Sequence, residues 1–295
     1  MQNLKKNNLL FTINPISGVG KKNIIPPLIE KYLDHQKFIY EIAYTKHRGH
    51  AREIAREAKL KYDAVIAIGG DGSVNETGSA LVDSACALGI IPCGSGNGLA
   101  RYANIPLNYI KAIQRINRFE KKAIDTGLVN NFVFLGTCGF GFDAHVAKKF
   151  DQYHKRGFVS YIKLVLREFG KYEPEVFIFT DETSRIRHRA FMCSVANSGE
   201  FGNGFKISPL SELADGKFEL ILLDKVKKSQ LPSVAWKFFK GKIHQSKHCT
   251  MHSFVNSSSI VTESGTEVDF HVDGEPAGRA NNFTVQIKPS SLILI

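Results

Sequence analysis

The sequence predicts two domains: an α/β N-terminal domain on a parallel sheet, followed by a mainly β sandwich. Three observations carry this. A chain of 295 residues exceeds what one small hydrophobic core organises. Up to Lys121, short apolar runs alternate with segments of helical spacing, the pattern of repeated β-α units. Beyond Lys171 nearly every segment reads as a short strand bounded by Gly or Asp turns, the pattern of a sandwich. The boundary near Lys121 gives domains of residues 1–122 and 123–295.

In order, Leu9 to Ile13 is a short apolar run that stops at Asn14-Pro15. Ile24 to Leu33 has helical spacing, and Phe38 to Tyr44 alternates as a strand does. His50 to Lys61 puts Ala51, Ile54, Ala55 and Ala58 on one helical face. Ala64 to Ile68 is a buried strand ending at Gly69-Gly70, and Ser73 to Val82 is a helix. Leu88 to Ile91 is a strand ending at Pro92, and Leu107 to Ile116 is a helix. Parallel sheets bind ligands beyond the carboxyl ends of their strands. Three loops therefore meet at one edge, beginning at Asn14, Gly69 and Cys93.

The second half reads differently. Ala123 to Thr137 forms two strands joined at Asn130-Asn131. Tyr153 to Lys171 is helical, with Phe158, Tyr161, Ile162, Val165, Leu166 and Phe169 on one stripe. Strands follow at Glu175 to Thr180, Arg189 to Ala196, Lys217 to Leu223, Cys249 to Val255, Ser259 to Val261, Glu267 to Val272 and Phe283 to Ile287. One helix near Ser233 to Phe239 interrupts them.

Composition narrows the partners. No apolar run approaches the roughly 18 residues of a membrane span, and Leu9 to Ile13 is too short for a signal peptide core, so the expected compartment is the cytoplasm. Cys86, Cys93, Cys138, Cys193 and Cys249 are widely and irregularly spaced, which fits free thiols rather than disulfides or zinc. The net charge of +11 favours nucleic acid, anionic membranes or phosphorylated small molecules. Zinc-finger, basic-zipper and RNA-binding signatures are all missing, so nucleic acid is not the expected partner.

The most specific local signal is Gly69-Gly70-Asp71-Gly72-Ser73 at a strand end. Glycine lets a backbone approach a phosphate closely, and successive N–H groups in such a turn form an anion nest. The following helix adds its positive N-terminus. Asp71 beside an anion site either holds a metal, accepts a proton or caps the helix. Asn14-Pro15-Ile16-Ser17-Gly18-Val19-Gly20-Lys21-Lys22 is similar to a P-loop but departs from that pattern at Pro15 and Lys22. It still offers Ser17, backbone amides and two cations to a phosphate. Gly94-Ser95-Gly96-Asn97-Gly98 offers a hydroxyl and bare backbone.

Two acidic turns stand in the second half. In Asp273-Gly274-Glu275-Pro276, Asp273 is a hairpin turn residue and Glu275 a candidate general base toward a hydroxyl. The other runs from Ser208-Pro209 to Ala214-Asp215-Gly216, where Asp215 has the setting of a Mg²⁺ or Ca²⁺ ligand if backbone carbonyls assist it.

Together these residues resemble the diacylglycerol kinase catalytic-domain family, which includes bacterial lipid kinases and sphingosine kinases. The markers stand in order over nearly the whole chain: Asn14-Pro15-x-Ser17-Gly18, Gly69-Gly70-Asp71-Gly72-Ser73-x-Asn75-Glu76, Pro92-x-Gly94-Ser95-Gly96-Asn97, Ile124-Asp125-Thr126-Gly127, Gly139-Phe140-Gly141-Phe142-Asp143-Ala144, Ser208-Pro209 with Asp215-Gly216, and Asp273-Gly274-Glu275-Pro276. The resemblance implies a nucleotide-binding domain similar to those of phosphofructokinases and NAD kinases, a lipid-substrate sandwich, and an active site in the cleft between them. It implies that ATP lies on the three Gly-rich loops, with Asn14, Pro15, Ile16, Ser17, Gly18, Gly69, Gly70, Gly72, Ser73, Asn75, Glu76, Gly94, Ser95, Gly96 and Asn97, and that Thr45 contacts the nucleotide. Asp71 then serves Mg²⁺-ATP chemistry, Asp125 is a second cleft acid, and Glu275 is the general base. Asp215 becomes a structural Mg²⁺ ligand helped by the carbonyls of Glu212 and Lys217. Asp143 falls near the place where sphingosine kinases put an acid toward the lipid amine, and other family members also have Asp there.

The chain departs from the pattern at Gly98, where many diacylglycerol kinases have Asp but sphingosine kinases have a small residue and the same Gly-Ser-Gly-Asn loop. The resemblance therefore implies diacylglycerol or a sphingoid long-chain base as acceptor. The chain also departs at Val19, where the family often has Lys. It stops after the Leu292 to Ile295 strand, whereas some relatives continue with a segment that returns to the first domain. An NAD kinase shares the Gly-Gly-Asp-Gly loop, but the Glu275 turn and Asn14-Pro15 argue against it. A catalytically silent lipid- or nucleotide-binding protein would leave Asp71, Asp125 and Glu275 together without a purpose. A lipid acceptor also implies peripheral contact with the inner membrane face. The candidates are the Tyr153–Lys171 helix, with Lys155, Arg156, Lys163 and Arg167, and the segment Trp236-Lys237-Phe238-Phe239-Lys240.

Overall fold

In the computed structural model, the described residues are 6–15, 22–152 and 158–295. Ile16, Ser17, Gly18, Val19 and Lys21 of the first loop, and Lys155 and Arg156, lie outside them. The chain forms two compact units: residues 1–124 with 290–295, and residues 125–289. The expected second domain, 123–295, thus gives its last six residues to the first unit.

The first unit contains β1 (Asn7–Ile13), α1 (Ile25–Tyr32), β2 (Phe38–Tyr44), α2 (His50–Ala58), β3 (Ala64–Gly69), α3 (Asp71–Leu81), β4 (Ala87–Pro92), α4 (Gly98–Tyr102) and α5 (Tyr109–Ile116). All four strands pair in parallel in the order β2-β1-β3-β4. Every residue of β3 and β4 is buried, because helices cover both faces of the sheet, and this is why these runs are continuously apolar. The chain's end supplies a further parallel edge, with Leu294 beside Leu88 and Ile295 over Gly89. Two helices differ from expectation. α3 starts at Asp71 rather than Ser73, so Asp71 lies in its first turn instead of capping it, and Gly70 is the N-cap. α4 was not foreseen, since five residues are too few to show a period.

The second unit contains β5 (Lys122–Val129, entered from the first unit), β6 (Phe132–Phe134), β7 (Thr137–Gly141), α6 (Phe142–Asp151), α7 (Phe158–Phe169), β8 (Glu175–Thr180), β9 (Arg185–Ala190), β10 (Met192–Ala196), β11 (Phe218–Leu223), α8 (Leu231–Phe239), β12 (Cys249–Phe254), β13 (Ser257–Thr262), β14 (Val268–Val272), β15 (Glu275–Ala280) and β16 (Asn282–Leu294). One sheet runs β12-β11-β10-β7-β14-β15, and the other includes β16, β13, β8 and β9. Their inner faces share one core, with Phe140, Phe218 and Leu220 from the first and Phe177, Phe179, Ile260 and Phe283 from the second. That is the expected sandwich. The outer face of the six-stranded sheet is covered too. Ile221 and Leu223 alternate with Leu220 and Leu222 and join Phe142, Val146, Leu164, Phe169 and Phe238 of the helices in another cluster.

Here the sequence reading needs three corrections. The run Arg189 to Ala196 is two strands, because the chain turns at Phe191 from β9 in one sheet to β10 in the other. β7, α6 and β15 were missed: β7 has two glycines in five residues, Gly141, at φ +100°, breaks the strand pattern into a helix without any polar N-cap, and β15 is mostly half-exposed and carries little apolar signal. The stripe assigned to α7 holds at Phe169, Tyr161 and Val165, which pack on the core, but Leu164 is buried in place of Leu166, which is 59% exposed. All five cysteines are free thiols, as expected.

Candidate functional site

In the first unit, the parallel order brings the ends of β1, β2, β3 and β4 to one edge. Thr45 follows β2, buried, and its amide donates to Ile13 O (2.9 Å). Asn14 follows β1, and its side chain donates to Ser73 Oγ at the start of α3 (3.3 Å). Asp71 holds the third loop: its carboxylate oxygens accept from the amides of Asn97 (2.8 Å) and Gly98 (2.7 Å). Asn97 stands at φ +54° and closes the loop on itself, accepting from Gly94 N (2.9 Å) and donating to Gly94 O (2.7 Å). Arg101 reaches back to Gly96 O (2.9 Å).

The glycines of these loops have a packing role that the sequence did not reveal. A Cβ on Gly94 would stand 2.5 Å from Gly70 Cα, so the two loops touch backbone to backbone. Glu76 also works inward, accepting from Gly49 N (2.8 Å) and thereby fixing the turn after Thr45. Asn75 is buried in α3, and Ser95 is exposed at the loop tip. Backbone amides and the positive end of α3, where Gly70 provides no side-chain cap, therefore line one sheet edge. This set fits the phosphates of a nucleotide.

In the second unit, Asp125 and the Asp215 turn meet. Asp125 is buried, accepts from Gly216 N (2.8 Å) and donates its own amide to Leu213 O (2.7 Å). Asn197, missed in the sequence because nothing marks it there, donates to the carbonyls of Asp125 and Leu135 (both 2.7 Å). Glu212, Asp215 and Lys217 are exposed, and Asp215 accepts from Lys217 N (3.0 Å). Ser211 donates to buried Glu219, whose acidity is weakened first by burial and also by the charge of Asp215. Concentrated negative charge and oxygen donors in one turn fit a hard divalent cation.

The other acidic turn is built around Asp273. Its carboxylate accepts from the amides of Leu135 (2.8 Å), Gly136 (2.8 Å) and Thr137 (2.9 Å), and its own amide donates to Thr137 O (2.7 Å). Asp273 (φ +49°) and Gly274 (φ +82°) are the two residues of a tight hairpin, which sets Glu275 at the first position of β15, opposite Val272. Asp143, in the first turn of α6, is 7% exposed, and its carboxylate accepts from Ser194 Oγ (2.7 Å) and meets His271 Nε2 (3.2 Å). Ser194 and His271 were not singled out in the sequence, because neither lies in a motif.

The comparisons with known proteins bear on this arrangement directly. Residues 8–129 match the family described as the diacylglycerol kinase catalytic domain, and residues 136–295 match the YegS C-terminal NAD kinase beta sandwich-like domain. The chain belongs to the diacylglycerol kinase catalytic-domain family. Its curated relatives include a diacylglycerol kinase of Staphylococcus saprophyticus, 29% identical over 90% of this chain and 88% of that one. Another is the "Probable lipid kinase YegS" of Escherichia coli, 28% identical over 92% of each chain. A solved structure described as a diacylglycerol kinase of Bacillus anthracis superposes with a TM-score of 0.73 at 20% identity, over 98% of this chain and 96% of that one, which establishes the shared fold. Membership in a kinase family implies ATP and, as a rule, a divalent metal. Among the described residues no helix is long and apolar enough to cross a membrane.

Proposed function

We propose that this family member is an ATP-dependent lipid kinase that transfers the γ-phosphoryl group to a hydroxyl of a membrane lipid, with diacylglycerol as the acceptor. The observation that carries the reading is the convergence of the Thr45, Gly70 and Gly94 loops at one sheet edge, with Asp71 tying two of them together. On this reading the loop amides, the α3 N-terminus and Asn14, Thr45 and Ser73 hold the nucleotide, and Asp71 carries the negative charge that Mg²⁺-ATP requires. Asp215, with carbonyls of Glu212 and Lys217, would hold a structural Mg²⁺, and Asp125 secures that turn. Bound Mg²⁺ supplies charge neutralisation on the phosphates. Glu275 takes the proton of the attacking hydroxyl, and positioning supplies most of the acceleration. The buried, doubly engaged carboxylate of Asp143 favours a neutral acceptor over the amine of a sphingoid base.

The test is transfer of labelled γ-phosphate from Mg²⁺-ATP to diacylglycerol, sphingosine, ceramide and phosphatidylglycerol in micelles, with NAD as soluble control. Label in diacylglycerol that falls at least about 100-fold in Asp71→Asn is the expected result. Label in NAD alone, or in no acceptor despite bound ATP, would overturn it.

An acceptor held in a bilayer requires contact with its surface. The helix α8 supports this part of the proposal: Trp236 is 52% and Phe239 44% exposed, and Lys242 lies 5.9 Å from the Trp236 ring centre. Lys237 and Lys240 extend the cationic rim. Aromatic rings beside lysines suit an anionic interface. Trp236→Ala with Phe239→Ala should weaken binding to phosphatidylglycerol vesicles, read by sedimentation, about 30-fold, each lost aromatic contributing on the order of 1 kcal/mol. Unchanged sedimentation would remove α8 from the contact.

A further inference from the structure

The family motif ends at Asp273-Gly274-Glu275-Pro276, but the residue that braces this turn from behind lies outside it. His271, on β14, is 3% exposed. Its Nδ1 accepts the amide of Gly274 (3.2 Å), the residue just before Glu275. A neutral ring that accepts at Nδ1 carries its proton on Nε2. That proton faces Asp143 Oδ2 (3.2 Å), which Ser194 Oγ also approaches at 2.7 Å. Ser194, Asp143, His271 and the Gly274 amide thus form one directed chain: each hydroxyl or N–H donates, and the carboxylate and Nδ1 accept. The space for it is reserved. A Cβ on Gly139 would lie 2.0 Å from Asp143 Oδ2 and 2.5 Å from His271 Nε2.

Resting on the proposed kinase reading, we infer that His271 is a positioning residue that sets Glu275 by holding the Gly274 amide from behind. The hairpin has two anchors. Asp273 fixes its front to residues 135–137, and His271 fixes its back to α6. With only the first, the turn is free to rock about Asp273, and displacement of a general base by about 1 Å costs on the order of 100-fold in rate. The tautomer matters as much as the ring. A proton on Nδ1 would point at the Gly274 N–H, and the turn would lose its rear bond. Buried polar chains of this type are strong only when each member is satisfied.

The experiment uses the full chain and two independent readouts. Long-range ¹H–¹⁵N spectra of the wild type should show His271 protonated at Nε2 alone, and the Gly274 amide should exchange at least about tenfold more slowly than in His271→Ala. In the lipid assay, run well below the variant's thermal transition, His271→Ala should lower kcat about 100-fold with an unchanged KM for ATP. His271→Asn, whose Oδ1 keeps an acceptor where Nδ1 stood, should recover most of kcat and the slow Gly274 exchange. A ring protonated at Nδ1, a Gly274 amide indifferent to the substitution, or an active His271→Ala enzyme would overturn the inference. If the wild type phosphorylates nothing, the kinase reading fails, and the Gly274 exchange decides the bracing role on its own.

Discussion

Three backbone amides converge on the carboxylate of Asp273, and two on that of Asp71. In each case a residue whose sequence context suggested direct chemistry, or a simple turn, also organises the loop beside it. Asp273→Asn keeps the size of the side chain but removes the charge and half of its accepting capacity. Each charge-assisted bond lost costs about 2 kcal/mol, so denaturant unfolding should show a loss of at least that size. Lipid phosphorylation should fall with it, because the 135–137 segment and Glu275 share this anchor. Stability equal to wild type would show that other contacts hold the turn.

Helices α6 and α7 meet over a single buried carboxylate. Glu168, 2% exposed, accepts from Lys149 Nζ (2.6 Å) and Arg167 Nε (3.0 Å) and meets His145 Nε2 (3.2 Å). Lys149 above all, with His145 and Arg167, holds its pKa at about 2 against the opposing effect of burial. Since the folded value lies below the ordinary 4.5, this stabilisation is complete above about 4.5 and is lost as pH falls toward about 2. Urea midpoints of the wild type should fall over that window, while Glu168→Gln, less stable at pH 7, should show a flatter profile. Parallel profiles would mean that Lys149, Arg167 and His145 leave Glu168 unperturbed. The element is instructive for reading as well. Helical spacing alone put Leu166 inside, and the inward Glu168 was invisible, because a carboxylate on an inner face is expected only once its cations are known.

At the scale of the molecule, the chain's last residues belong to the unit that begins it. Leu292, Leu294 and Ile295 are buried there, and burial of each contributes roughly 2 kcal/mol. Ending the chain at Pro289 should therefore destabilise residues 1–124 selectively. Hydrogen exchange read by mass spectrometry should show faster exchange in β3 and β4 than in β10 and β11. Equal loss in both units would mean that they unfold as one. The sequence could not reveal this return, since Leu292 to Ile295 reads as a separate short run that looks the same whichever sheet it joins, whereas it continues the long strand β16.

The sequence by itself determined the alternation of strands and helices up to Lys121, the strand-rich second half, and the ordered Gly-rich and acidic loops. Those features depend on local periodicity and turn chemistry, which neighbouring residues carry. Only the tertiary structure decided that Gly70 and Gly94 are glycines because their backbones touch. It alone showed that Asp143 faces Ser194 and His271, that Asp273 gathers three amides, and that one apolar run is split between two sheets. Each of these is a contact between residues far apart in the chain, and neither spacing nor composition encodes which distant partner a buried polar group will meet.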